Sequence, residues 1–215
     1  LPFLLPMYSA GRPSPAAMRL GMGLYRALSP SASASEHKSL SAGETAAQEP
    51  LLASGGLAGG FLHREYVTHD ARLVIETILA ARDRGAVTAN YVRRQGVLTQ
   101  GGCAVGVLAR DTVSGDEFEI RARVVVNATG PWAPPVAGWR NGAPAMALSK
   151  GVHAVLPRRR LPIRQAVAFF SPQDGRPLFA VPQDGIVYLG TTETPYEGDP
   201  ARVAVEGADI EYLAE

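Results

Sequence analysis

Apolar residues recur along the chain with two periods, and the change of period marks its elements. Ala71, Val74, Ile75, Ile78 and Leu79 fall at i, i+3, i+4, i+7 and i+8, the stripe of an amphipathic helix. Asp70 lies in its first turn, Arg82 and Arg84 in its last, and Gly85 follows as a stop. The spacing predicts a helix over 68–84. An earlier helix opens at Ser14-Pro15, a cap followed by a first-turn proline, and ends at Pro30. Leu20, Leu24, Ala27 and Leu28 share one of its faces, and Arg19 and Arg26 form a narrow second stripe. Two readings stay open for this helix: packing with arginines at the solvent edge, or a helix lying at a membrane surface. Before it, Pro2 and Pro6 punctuate an apolar, extended piece; after it, the small polar run over 29–39 reads as a loop. Ser41 with Glu44 three residues on predicts a capping box, and the short helix it opens ends before Pro50.

Beyond the 68–84 helix the period falls to two. "AVTANYV", "VLTQ" and "AVGVLARD" read as strands, the last two joined by Gly101-Gly102. In "EFEIRAR", Phe118, Ile120 and Ala122 alternate with charged residues, so one face is expected dry and one wet. The chain then enters Val124-Val125-Val126, three β-branched residues that fit a strand buried on both faces. That run ends in "NATGPWA", where Gly130 would let a ligand approach the backbone closely. From Lys150 the texture changes again. "KGVHAVLP", "QAVAFFSP", "PLFAVP" and "IVYLGTTE" are four strand-like runs, the last three separated by turns at "QDGR" and "QDG". They read as an antiparallel sheet, which "ETPYEGDP" leaves as a loop. Three regions are therefore expected: a helical and loop region over 1–60, a nucleotide-binding part over 61–145 and an antiparallel sheet over 146–215.

Composition narrows the function classes. Of 215 residues, 21 are Lys or Arg and 20 are Asp or Glu, a formal net charge of +1. That balance argues against a general electrostatic grip on nucleic acid. Cys103 is the single cysteine, so no internal disulfide is possible, and a reducing compartment is the easier reading. No apolar run approaches the roughly 20 residues of a membrane span. No Cys/His cluster has metal-ligand spacing, and no Gly-x-Ser-x-Gly elbow occurs. The glycine-rich "SGGLAGG" reads as a connector, because its spacing fits neither a phosphate loop nor a dinucleotide fingerprint.

Five stretches in this order carry a family resemblance: "HDARLVIETILAARDRGA", "VVVNATGPWA", "SKGVHAVLP", "LFAVP" and "YLGTTETPYEGDP". Together with "LPFLLPMY" and "MRLGMGLYRALS" they resemble the FAD-dependent glycerol-3-phosphate dehydrogenases, within the flavoprotein superfamily of D-amino-acid and glycine oxidases. The resemblance implies a mixed α/β fold, part of a flavoprotein with a dinucleotide-binding domain and an antiparallel substrate-domain sheet. It implies FAD as cofactor and oxidation of glycerol 3-phosphate to dihydroxyacetone phosphate, with electrons passed to a quinone. It also implies a cytoplasmic enzyme attached peripherally to the inner membrane, and leaves a homo-oligomer open. An amine or hydroxyacid oxidase of the same superfamily is the nearest rival, and a non-catalytic flavoprotein fragment the third reading. The Gly-x-Gly-x-x-Gly of the family does not occur in these residues, nor do its Gly-x-Arg-Pro and Gly-Gly-Lys motifs. A fragment of a longer protein is therefore expected, one that alone is inactive and binds FAD poorly.

Individual residues follow from the resemblance. Ala128, Thr129 and Gly130 are expected against the cofactor, with Gly130 also readable as a plain turn glycine. Val92 would meet the adenine through its backbone, and Trp132 would pack under the cofactor site. His153 is the candidate base for the hydroxyl proton, or else a hydrogen-bonded structural histidine. Lys150 would face cofactor or phosphate charge, or simply end a strand. Gly190, Thr191 and Thr192 would line the substrate cavity, although threonine is also a common strand residue. Arg158, Arg159 and Arg160 read as solvated surface, because three successive side chains cannot converge on one phosphate. Cys103 reads as inert.

Overall fold

The computed structural model describes residues 1–11, 13–28, 37–133 and 146–215; Pro30, the 29–36 stretch and the Arg26 side chain lie outside them. In chain order the elements are β1 (Pro2–Tyr8), α1 (Pro15–Leu28), β2 (Lys38–Leu40), α2 (Ala42–Gln48), β3 (Leu57–Arg64), α3 (Asp70–Arg82), β4 (Val92–Gln100), β5 (Cys103–Asp111), β6 (Glu117–Arg121), β7 (Leu148–Lys150), β8 (His153–Pro157), β9 (Ala166–Phe170), β10 (Pro177–Gln183), β11 (Ile186–Gly190), β12 (Thr194–Tyr196) and α4 (Gly207–Ala214). They divide into two units. The first holds 1–67, 149–194 and 204–215, and the second holds 68–148 and 195–203.

This division differs from the three regions expected from the sequence. Residues 1–60 and 146–215, anticipated as separate, build one seven-stranded sheet in the order β2-β3-β1-β9-β10-β11-β8. The seam is the parallel pairing of β1 with β9, Phe3 opposite Ala166 and Leu4 opposite Val167. The other neighbours run antiparallel. Ala166, Val167 and Ala168 of central β9 are all buried, as a strand covered on both faces requires. Leu4, Met7, Ile163, Leu178, Ala180 and Val187 complete the core, and Leu213 of α4 adds to it. Gly59 and Gly60, expected in a connector, lie inside β3. A Cβ at Gly60 would meet the fully buried Thr45 at 2.9 Å, so the missing side chain lets α2 seat on the sheet. The capping box of α2 forms as predicted: Ser41 accepts from Glu44 N–H, and Glu44 accepts from Ser41 N–H at 2.8 Å.

The second unit is α3 with the antiparallel sheet β4-β5-β6. The pieces "AVTANYV" and "VLTQ" do not form two strands; one strand, β4, runs from Val92 to Gln100. Two further expectations, a buried strand at 124–126 and a dry face on β6, are not met among the described residues. Val124 and Val126 are 72% and 80% exposed, and 124–129 is not a strand. A buried strand needs paired neighbours, and none among the described residues pairs with it. The apolar stripe of α3, Val74, Ile75, Ile78 and Leu79, is likewise exposed. Phe118 and Ile120 of β6 are exposed too, so its dry face is not covered. In the first unit, α1 begins at Pro15 with Ser14 accepting from Ala17 N–H at 3.3 Å. Its Leu20, Leu24 and Leu28 are exposed, so nothing among the described residues covers that face.

Candidate functional site

His153 starts β8 and stands opposite Gly190, the last residue of β11. The approach is so close that a Cβ at Gly190 would lie 2.9 Å from His153 Cδ2 and 2.9 Å from the Val152 carbonyl. Only glycine keeps that backbone pair at its present distance. Past Gly190, the buried Thr192 is tied to the same segment in both directions. Its hydroxyl accepts from Val152 N–H at 2.9 Å, and its own N–H donates to Val152 O at 3.1 Å. The Thr191 hydroxyl donates to Thr192 O at 3.0 Å, and a Cβ at Gly151 would lie 2.8 Å from that hydroxyl oxygen. His153, Gly190, Thr191 and Thr192, chosen separately in the sequence, thus form one cross-bonded knot at a sheet corner. His153 itself is exposed, with its ring available to a solute.

Lys150 departs from its expectation. It is 4% exposed overall, and its ammonium lies 2.8 Å from Asp209 Oδ2, a carboxylate that is equally buried. Glu206 Oε2 stands at 3.5 Å, and the ammonium also donates to Ala204 O at 3.3 Å. The buried ammonium answers carboxylates of its own chain. Hydrogen bonding to Asp209 pushes the Lys150 pKa up, and hydrogen bonding from Lys150 pulls the Asp209 pKa down. The same Oδ2 accepts from Glu206 N–H at 2.8 Å, so Asp209 closes the first turn of α4 while holding the lysine. No local pattern pairs Asp209 with Lys150, which are 59 positions apart.

The residues expected at a cofactor lie in the second unit. Ala128, Thr129 and Gly130 are exposed and precede a single 3-10 turn, Gly130–Trp132. Asn127 organises this loop. Its Oδ1 accepts from the Thr129 hydroxyl at 2.7 Å and from Thr129 N–H at 3.3 Å, and its Nδ2 donates to Ala133 O at 3.3 Å. Gly130 has φ +56, a left-handed conformation costly for other residues, and nothing lies within 4 Å of its Cβ position. A backbone held open and uncovered in this way fits a ligand laid along it. Val92 opens β4 just after Tyr91, itself at φ +59, and is also exposed. Trp132 is 47% exposed and does not pack as a buried indole. Two open clefts of the first unit, about 830 and 390 Å³, contain none of these residues in their walls. Among the described residues, no group of three or more His, Cys, Asp or Glu could hold a metal ion.

The family model for FAD dependent oxidoreductases matches residues 7–215. The chain belongs to this family. FAD is the family's cofactor, and the open loop at Gly130 suits it. The aerobic glycerol-3-phosphate dehydrogenase of Staphylococcus haemolyticus is 36% identical over 213 residues, 98% of this chain and 38% of the relative. The glycerol-3-phosphate dehydrogenase of Bacillus halodurans, solved in complex with FAD, superposes with a TM-score of 0.83 at 34% identity, covering 99% of this chain and 38% of that one. The chain is thus closely related in sequence and structure to glycerol-3-phosphate dehydrogenases, and spans about 38% of their length. Glycine oxidase from Geobacillus kaustophilus shares the fold, with a TM-score of 0.71 at 20% identity.

Proposed function

We propose that the enzyme containing this chain oxidises sn-glycerol 3-phosphate to dihydroxyacetone phosphate. The observation that carries this reading is the His153 knot, within a chain matched from end to end by two glycerol-3-phosphate dehydrogenases at 34–36% identity. FAD, when bound, supplies the hydride acceptor for carbon 2. His153 takes the proton of the carbon 2 hydroxyl, so that the alcohol becomes a ketone. Gly190, Thr191 and Thr192 hold the His153 segment in place and border the substrate. Gly130, Ala128 and Thr129 offer uncovered backbone to the cofactor, Val92 its backbone to the adenine, and Trp132 its exposed ring beside them. A quinone is the proposed final electron acceptor, which places the enzyme on the cytoplasmic face of the inner membrane. The exposed leucines of α1 support a peripheral attachment, and no described helix is long and apolar enough to cross a membrane.

The rival within the family is oxidation of an amino acid or another hydroxyacid. The FAD-loaded enzyme distinguishes them when assayed with glycerol 3-phosphate plus a quinone or dye, and with glycine or proline plus oxygen. Glycerol 3-phosphate is expected to be turned over, and His153→Asn to lower kcat by about 10²–10⁴-fold, the usual worth of a positioned base. Preferential turnover of an amino acid, or full activity in His153→Asn, would sink the proposal.

A further inference from the structure

We infer that Asp209 is a positioning residue for His153, acting through its buried ion pair with Lys150. This rests on the proposed role of His153. Three observations carry it. First, the pair is sealed: both side chains are 3–4% exposed at an Nζ–Oδ2 distance of 2.8 Å. Second, Asp209 is fixed independently of the lysine. Its Oδ2 accepts from Glu206 N–H at the start of α4, and Leu213 of the same helix is buried. Third, Lys150 lies three residues from His153, and the peptide between them has little freedom. Val152 is bonded both ways to Thr192, and Gly151 lies against Thr191 with no room for a side chain. The segment is therefore held at two points, at Lys150 by α4 and at Val152 by Thr192, and His153 follows directly. A helix at the end of the chain sets where the candidate base stands.

Removing Lys150 leaves the Asp209 carboxylate buried without a counter-charge, and removing Asp209 leaves the buried ammonium only the more distant, exposed Glu206 carboxylate; either is less favourable than the intact pair. The segment is then expected to shift until the orphaned group reaches water. The test reads the His153 ring in ¹³C–¹H spectra of the 215-residue chain, with the four histidines assigned by His→Gln substitution. Asp209→Asn and Lys150→Met are each expected to displace the His153 signal while His37 and His63 keep theirs. Lys150→Arg, which retains the charge, is expected to restore it. If Asp209→Asn fails to fold, Lys150→Met alone is read under the same criterion. In the FAD-loaded enzyme the same variants are expected to lower kcat about 10²-fold with KM nearly unchanged, as a displacement near 1 Å does. An unmoved His153 signal in a folded chain with the pair broken would overturn the inference. Full activity in His153→Asn beside a displaced His153 signal would instead overturn the role of His153 and leave the inference standing.

Discussion

At the scale of single residues, buried Lys150 and Asp209 answer each other, whereas His63 Nδ1 is buried without a hydrogen-bond partner among the described residues. Its ring stacks with His37 at 2° between planes and 6.3 Å between centroids, and meets Phe3 at 5.7 Å. Burial is the largest influence on it and lowers its pKa, Glu65 at 3.3 Å opposes this, and the neighbouring His37 adds to the lowering. A histidine lowered in the fold binds fewer protons folded than unfolded. Stability from this site is therefore complete above the unfolded value of about 6.5 and declines as pH falls toward the folded one. The melting temperature of the chain is expected to drop across that window, and His63→Phe, which keeps a ring against Phe3, to flatten the drop. An unaltered slope in His63→Phe would refute the assignment. Lys150, by contrast, is matched. From the sequence a scarce lysine beside a candidate base suggested substrate charge, and only the approach of Asp209 from 59 positions later gives it another partner.

At the scale of elements, local signals named the helices well and their surroundings poorly. Ser14-Pro15, Ser41 with Glu44, and Asp70 all mark helix starts that form within two residues of expectation, because capping is settled within one turn. Periodicity tells which face of a helix is apolar but not what covers it. The α1 face of Leu20, Leu24 and Leu28 is exposed, as an interfacial helix requires. Leu20→Asp with Leu24→Asp is expected to abolish co-sedimentation of the enzyme with vesicles containing anionic lipid, without loss of folding. Unchanged co-sedimentation would end the membrane role of α1. The run Val124–Val126 makes the same point for strands: β-branched residues favour the extended form, but pairing decides whether a strand exists.

At the scale of the molecule, burial is unevenly shared between the two units. The first holds nearly all the core, whereas Ala109 is the one buried apolar side chain of the second among the described residues. Apolar burial is the main favourable contribution to folding, so the second unit should open at lower cost. Amide hydrogens of α3 and β6 are expected to exchange at least tenfold faster than those of β9 and β10 in the 215-residue chain. Equal protection would contradict this reading of the burial.

Most of what was legible in advance was local or carried by motifs: helix starts, the hairpin strands, the four runs after Lys150 and the family itself. Turns, caps and the alternation of the last strands depend on neighbours a few residues away, so the residues alone determined them. His153, Gly190, Thr191 and Thr192 were legible through the family resemblance, and the pairing of β8 with β11 brings them together. The tertiary structure decided what depends on distant partners. The pairing of β1 with β9 joined two distant stretches in one sheet, the seating of α2 placed a glycine-rich run within a strand, and Asp209 gave Lys150 a buried partner. The first and last rest on contacts across more than fifty residues and the second on one between separate elements, where pattern within a segment carries no information about what will lie against it.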